Sequence, residues 1–229
     1  EMGVKAIEVD VQLSKDSVLF LFHDVELDRA TNGTGKAEDY TIAELKELQV
    51  KNPDGTLSEA HIIDLETFLD SLPEDVLLEF DVKFYTENTY TLMKELVLFF
   101  YNNDIHERAF ISCFDPRITY MVKKQDSRII TAHAFVEKSG KGWFIDKALN
   151  SHWLPTVLGV DIVEPNRSIV TKSFLKYCQR QGYVVNAWTI NTAEWKRKAK
   201  EWNISITTNC PTLDCEDYKE DSAFDKANS

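Results

Sequence analysis

Three side chains suited to acid–base and metal chemistry lie near the start of the sequence. Glu8 and Asp10 are separated by one residue within an apolar run, and His23 follows a short connection. Carboxylate oxygens are the ligands that Mg²⁺ and Ca²⁺ prefer, and an imidazole exchanges protons near neutral pH. The set therefore indicates a divalent-cation site beside a proton-transfer group, and the alternative is an exposed polar strand face.

A second charged run follows the pattern of a buried parallel strand at Val76–Val82. Alternation places Glu79, Asp81 and Lys83 on one face, near the carboxyl end of that strand. In a (β/α) barrel this end of the strands carries the chemistry. We therefore expect Asp81 and Lys83 to converge with the first three residues at one mouth of a barrel.

The first two predicted strands, Ala6–Leu13 and Val18–Phe22, are too close in sequence for a crossover helix, so they must form an antiparallel hairpin. A two-residue turn at positions 16 and 17 would place Asp10 directly opposite His23, on the same face as Glu8. The other face would then carry the apolar positions Ile7, Val9 and Val11.

Beyond the hairpin, β-rich runs alternate with helical stretches, which is typical of a βαβ architecture with a parallel sheet. The further strands are predicted at Ala109–Phe114, Ile129–Ala132, Val160–Val163, Val184–Thr189 and Ile204–Thr207. Helix starts are predicted from caps at Thr41, with Glu44 as a capping box, and at Asp115, Thr171 and Thr192, with Gly182 ending one helix.

Composition narrows the function classes. The 229 residues carry 26 Lys and Arg against 38 Asp and Glu, a formal net charge of -12, which disfavours nucleic acid as a partner. The longest apolar run, around Leu96–Tyr101, is far below the roughly 18 to 20 residues of a membrane-spanning helix. Four cysteines show no metal-binding spacing, and Cys113 and Cys178 sit in apolar surroundings that suit buried thiols.

The motifs, in this order, resemble the glycerophosphodiester phosphodiesterase family. The specific match covers Glu1–Leu48 and includes His23-Asp24, Asp28-Arg29, Thr31-Asn-Gly-Thr-Gly35 and the residues of the first strand. Asp81-Val-Lys83, Ile111–Phe114 and Trp188-Thr-Ile-Asn191 resemble later elements of the family. The local sequence around Asp81 is most similar to that of the animal membrane-bound branch, which acts on glycerophosphoinositol and related diesters.

The resemblance implies an α/β fold, a TIM (β/α)8 barrel of the PLC-like phosphodiesterase type. It implies that Glu8, Asp10 and Asp81 ligate a divalent cation, Mg²⁺ or Ca²⁺, and that Lys83 contacts the phosphate. His23 would be one of two acid/base histidines, and Trp188 would pack against the glycerol or headgroup. The implied reaction is metal-dependent hydrolysis of glycerophosphodiesters to glycerol 3-phosphate and an alcohol, within lipid metabolism.

The sequence departs from the family pattern in several places. Asp81 is usually Glu in the family, and Asn209 stands where many members have Asp. No His-Arg dipeptide occurs in the chain, although the family opens on a His-Arg-Gly strand. Gly3 resembles the residue that closes the helix after that strand. We therefore expect a barrel without its first strand and most of its first helix, and impaired turnover.

Two alternatives to this activity stay open. One is lysophospholipase D or sphingomyelinase-D-like activity on lipid diesters, and the other is a non-catalytic fragment or binding module. The predicted substrate is a small glycerophosphodiester or a lysophospholipid-like molecule, and the oligomeric state is left open. We assign residues 1–213 to the phosphodiesterase domain and 214–229 to an acidic polar tail. No signal peptide is recognisable at Glu1, although the resembled branch is membrane-associated.

Several other residues have side chains that could serve a function. His133 ends a predicted strand and is interpreted first as structural. Glu164, just before Pro165 at a strand end, is interpreted either as a residue that contacts or supports the substrate site or as a solvated loop carboxylate. His61, His106 and His152 are interpreted as solvated, and so is the basic helix face from Lys196 to Lys200. The long Ala134–Gly159 connection carries apolar side chains that either cover the barrel or contact a membrane interface, namely Trp143, Phe144, Trp153 and Leu154.

Overall fold

The computed structural model describes residues 4–85, 88–136 and 154–212. Residues Lys5–Ile129 form one compact unit, and the described residues from Ile130 to Thr212 belong to a second. The N-terminal unit contains strands β1 (Ala6–Leu13), β2 (Leu19–Leu21), β3 (Gln49–Lys51), β4 (Leu57–His61), β5 (Leu77–Val82) and β6 (Ala109–Cys113). Its helices are α1 (Ile42–Lys46), α2 (Leu65–Asp70), α3 (Thr89–Asn103) and α4 (Pro116–Gln125).

The sheet of the N-terminal unit has the order β2-β1-β5-β6, in which β2 is antiparallel to β1 and the other pairs are parallel. Val11, Phe80 and Val82 project from one face into the main core and are at most 1% exposed. Alternation turns Asp10 and Asp81 to the other face. The apolar burial of one face therefore fixes where the charged side chains point.

The hairpin has a different register from the predicted one. Val11 pairs with Leu21 and Leu13 with Leu19, and Phe22 N–H donates to the Asp10 carbonyl (3.1 Å). Phe22, not His23, therefore lies opposite Asp10, and the prediction was wrong by one residue.

The turn explains the shift. Ser14 and Val18 close a loop of three residues, with Ser14 N–H donating to the Val18 carbonyl (2.9 Å), and Ser17 adopts φ 64°. A left-handed residue after a tight turn is the usual three-residue hairpin geometry. The observed turn has three residues instead of the predicted two, so each residue pair of the hairpin shifts by one position.

Strand β2 and residues between it and β5 build a small second core in the N-terminal unit. Phe20, Leu27 and Leu45 are fully buried there. The predicted capping box at the start of α1 is confirmed, since Thr41 and Glu44 exchange both hydrogen bonds. The β3–β4 hairpin was not predicted, because Leu57–His61 is short, exposed and has no clear apolar alternation.

The C-terminal unit is a parallel β/α arrangement with the strand order β7-β8-β9-β10. Its strands are β7 (Ile130–Phe135), β8 (Ile162–Pro165), β9 (Val184–Ala187) and β10 (Ser205–Ile206), and its helices are α5 (Leu154–Leu158), α6 (Lys172–Gln181) and α7 (Ala193–Trp202). The predicted caps at Thr171, Thr192 and Gly182 (φ 79°) are confirmed.

Two predictions of solvated side chains need correction, one in each unit. Lys196 is buried instead of solvated, and its ammonium donates to the carbonyls of Cys210 and Thr212. His106 is not solvated either, because it lies 3.1 Å from Asp126 and its ring contacts Phe100. Asp126, Cys210 and Thr212 lie 14 to 20 residues from the side chains they contact, so the local sequence pattern could not reveal these contacts.

The predicted long connection is shorter than expected at both ends. Ala134 belongs to β7, and Leu154 begins α5. Trp143, Phe144, Trp153 and His152 lie outside the described residues, so their predicted roles stay predictions. Across residues 4–85, 88–136 and 154–212, no helix combines the length and apolar character needed to cross a bilayer.

Candidate active site

Three carboxylates meet on the polar face of β1 and β5 in the N-terminal unit. Asp10 and Asp81 occupy paired positions of the parallel ladder, as do Glu8 and Glu79. One carboxylate oxygen from each of Glu8, Asp10 and Asp81 lies within 4.8 Å of the other two. The strand register alone produces this cluster, because residues two apart on one strand and residues paired across strands share a face.

Lys83 follows directly after β5 and bridges two of these carboxylates. Its Nζ lies 2.9 Å from Asp10 Oδ1 and 2.7 Å from Asp81 Oδ2. Its backbone N–H donates to the Val11 carbonyl (2.9 Å), which extends the β1–β5 ladder and fixes where the side chain starts. The ammonium is 12% exposed, so this contact is screened little by water.

Burial and charge act on this pair in identifiable ways. Burial raises the pKa of Asp81, and the neighbouring Lys83 offsets that effect only in part. Burial alone would lower the pKa of Lys83, but the carboxylates of Asp81 and Asp10 outweigh burial and raise it. Lys83 is therefore held as a cation among carboxylates.

The cluster fits a hard divalent cation. Asp81 Oδ1 is buried, and no group in the described part of the chain donates a hydrogen bond to it. Three carboxylates against one ammonium also leave excess negative charge at one point. Oxygen ligands with excess negative charge are what Mg²⁺ and Ca²⁺ select, so Glu8, Asp10 and Asp81 suit such an ion.

His23 reaches this region by a different route from the predicted one. Strand β2 ends at Leu21, so alternation no longer decides where His23 points. Its side chain is 30% exposed and lies close enough to Asp81 that a protonated imidazole opposes, less than Lys83 does, the burial that raises the pKa of that carboxyl. Within the N-terminal unit the structure thus brings together Glu8, Asp10, Asp81, Lys83 and His23.

Sequence reasoning missed three neighbours of His23. Tyr85 Oη donates to the His23 carbonyl (3.3 Å), and burial raises the pKa of that phenol. Asp24 contacts the imidazole, and Gln12 donates to the main chain on either side of it. The His23-Asp24 dipeptide was itself a visible signal, whereas Gln12 gave none because its partners depend on the hairpin register.

Trp188, Glu164 and His133 belong to the C-terminal unit. Trp188 Nε1 donates to the Glu164 carbonyl (2.8 Å), and Asn186 Nδ2 donates to Glu164 Oε1 (2.8 Å). Glu164 is 1% exposed, so it is a buried carboxylate rather than a loop residue. His133 lies within β7, where its ring stacks on Phe135 with centroids 5.8 Å apart.

Solved structures identify the fold. A glycerophosphodiester phosphodiesterase from Agrobacterium tumefaciens str. C58 matches with a TM-score of 0.74 at 17% identity, covering 93% of this chain and 87% of that one. An Oleispira antarctica phosphodiesterase in complex with the product sn-glycerol-3-phosphate matches with a TM-score of 0.73 at 19% identity, covering 92% and 83%. The predicted α/β class, of the TIM-barrel phosphodiesterase type, is confirmed.

Sequence comparison assigns the family. The profile of the glycerophosphoryl diester phosphodiesterase family, a family of phosphoric diester hydrolases, matches residues 1–212. The chain belongs to this family, as the motifs predicted.

Animal proteins are among its relatives. Human glycerophosphodiester phosphodiesterase 1 is 24% identical over 94% of this chain and 72% of the human protein. The rat protein of that name is 24% identical, and there the match covers 85% of this chain and 65% of the relative. The chain thus spans roughly two thirds of the length of these relatives.

Proposed function

We propose that this protein hydrolyses glycerophosphodiesters to glycerol 3-phosphate and an alcohol, with a divalent cation at Glu8, Asp10 and Asp81. The single observation that carries the proposal is the carboxylate cluster around Lys83, in which the buried Asp81 Oδ1 accepts no hydrogen bond from the described residues. Family membership and the product named for the Oleispira antarctica relative support this substrate class.

The residues of the site would share the chemistry as follows. A bound cation would polarise the phosphoryl oxygens. Lys83, already cationic beside Asp10 and Asp81, would donate to the phosphate and balance charge that develops on it. His23 would transfer a proton to or from an oxygen at the reacting phosphorus. Trp188 would contact the glycerol or headgroup.

The overall reaction needs only water as co-reactant. The bond between phosphorus and the alcohol oxygen breaks. Water supplies the hydroxyl group that forms the new phosphorus–oxygen bond, and the other proton of the water leaves with the alcohol. A proton-transfer group is therefore needed on the leaving side or on the attacking side. His23 supplies one such group, which agrees with the acid/base role that its motif implies.

The test measures glycerol 3-phosphate released from glycerophosphocholine and from glycerophosphoinositol by the purified protein, expressed with all the sequence that its gene encodes. We expect turnover that chelation with EDTA abolishes and that added Mg²⁺ or Ca²⁺ restores. Full activity after exhaustive chelation would contradict the metal role. Release of choline from lysophosphatidylcholine but not from glycerophosphocholine would assign the protein to the lysophospholipase D alternative.

A further inference from the structure

A carboxylate holds the Nδ1 atom of the His23 imidazole. Nδ1 lies 2.8 Å from Asp24 Oδ1, which is a hydrogen-bond distance. Asp24 is 19% exposed, and an ionised carboxylate can only accept. The proton between the two groups therefore belongs to Nδ1 of the imidazole.

Arg29 fixes the Asp24 carboxylate from the opposite side. Its Nε donates to Asp24 Oδ2 (2.6 Å), and its Nη2 donates to Oδ1 (2.9 Å). Two parallel bonds from one guanidinium define the plane of the carboxylate, which a single ion pair does not. Burial raises the pKa of Asp24, but Arg29 and His23 outweigh it and lower it, so Asp24 stays ionised.

Gln12 fixes the main chain on both sides of the imidazole. Its Nε2 donates to the Phe22 carbonyl (2.7 Å) and to the Asp24 carbonyl (2.8 Å). Gln12 is 3% exposed and lies on β1, two residues after Asp10. Strand β1, which carries the proposed metal ligands Glu8 and Asp10, thus also fixes the main chain from which the His23 side chain projects.

We propose that Asp24, oriented by Arg29, and Gln12 are positioning residues that hold His23 as the Nδ1–H tautomer and present Nε2 for proton transfer. The catalytic meaning of this arrangement rests on the proposed function, whereas the tautomer does not. An imidazole whose Nδ1 is committed to a carboxylate exchanges protons with a substrate through the other nitrogen. The sequence places all of these residues within one hairpin and the loop that follows it.

The direct test is the tautomer of His23 in the intact protein labelled with ¹⁵N-histidine. Spectra at about pH 9, well above the reference imidazole pKa of about 6.5, report which ring nitrogen carries the proton. The His23 signals are assigned by their loss in His23→Gln. We expect a protonated Nδ1 in the wild type and a shift toward protonated Nε2 in Asp24→Ala.

Asp28→Asn is the matched control for this test. Asp28 lies four residues after Asp24 and accepts from Gly35 N–H (2.8 Å), so the substitution neutralises a nearby carboxylate that serves this loop contact. The control should keep the wild-type tautomer. A protonated Nε2 in the wild type would overturn the proposal even if Asp24→Ala failed to fold.

Steady-state kinetics then separate positioning from mere structural support. Asp24→Ala should lower kcat by about 10²- to 10⁴-fold with little change in KM, because the substrate still binds but the proton is on the wrong nitrogen. Unchanged kcat in Asp24→Ala would refute the positioning role. If the wild type hydrolyses no glycerophosphodiester, the proposed function fails, and the tautomer measurement still decides the assignment of His23.

Discussion

Asp10 and Asp81 face each other across the parallel β1–β5 ladder, and Lys83 Nζ closes the gap with contacts of 2.9 and 2.7 Å. Both carboxylates lie within regular strands, so no loop conformation is needed to position them. A rigid ladder holds such a pair more tightly than a loop does, so the separation of the two proposed ligands is set before any cation binds. Substitutions at this pair should therefore affect ion binding more than folding.

Asp81→Asn should weaken binding of Mg²⁺ or Ca²⁺, because it replaces a charged ligand that is 16% exposed with a neutral amide. The loss should be at least as large as the roughly 10- to 100-fold effect typical of changes to residues behind metal ligands. Isothermal titration calorimetry measures it directly. Asp75→Asn makes the same chemical change at an exposed carboxylate paired with Lys5 (3.1 Å) and should leave affinity unchanged.

Lys83→Met should separate the roles of charge and ligand. Without the ammonium, three carboxylates repel one another at a largely buried point, and breaking such a pair costs about 3 kcal/mol of unfolding free energy. A bound cation replaces the missing charge, so Mg²⁺ should raise Tm more in Lys83→Met than in the wild type.

Thermal melts with and without Mg²⁺ check this prediction. Lys94→Met is the control, since Lys94 is exposed and lies 3.8 Å from Glu95. Turnover of Lys83→Met should stay low even with saturating Mg²⁺, because the proposed contact from Lys83 to the phosphate is gone. An equal rise of Tm with Mg²⁺ in the wild type and in Lys83→Met would indicate that the ion binds elsewhere.

The sequence predicted β1 to the residue, since the alternation of apolar and charged positions fixed both its limits and its faces. The predicted hairpin register was wrong because the left-handed backbone conformation of Ser17 cannot be inferred from sequence. One extra turn residue shifts every later pair of the hairpin. His23 nevertheless reached the site, because β2 ends at Leu21. Lys196 was misread since its carbonyl partners lie 14 and 16 residues further along the chain.

Asp64→Ala should lower the unfolding free energy by about 1 kcal/mol, the usual cost of losing a helix N-cap. Asp64 Oδ1 accepts from Thr67 N–H (2.6 Å) at the start of α2, and Oδ2 pairs with Lys46. Burial raises the pKa of Asp64, but Lys46 and Thr67 outweigh it and lower the pKa below the ordinary 3.8.

The pH dependence of this contribution follows from the sign of that shift. A carboxyl group with a lowered folded-state pKa stabilises the fold above about pH 4, and the contribution is lost as the pH falls through the folded-state pKa. Urea unfolding at pH 7 and at about pH 3 should therefore show a smaller difference between wild type and Asp64→Ala at the lower pH. A difference that grows on acidification would contradict the assignment.

Trp188→Phe tests whether the indole contacts the substrate or only stabilises the fold. The change removes the N–H that donates to the Glu164 carbonyl (2.8 Å), which should cost about 1 kcal/mol of unfolding free energy. If Trp188 also contacts the glycerol or headgroup, KM for a glycerophosphodiester should rise. Trp195→Phe is the matched control, because Trp195 packs edge-to-face on Trp202 (6.0 Å) and should affect stability without KM. An unchanged KM in Trp188→Phe, with the expected loss of stability, would give the indole a purely structural role.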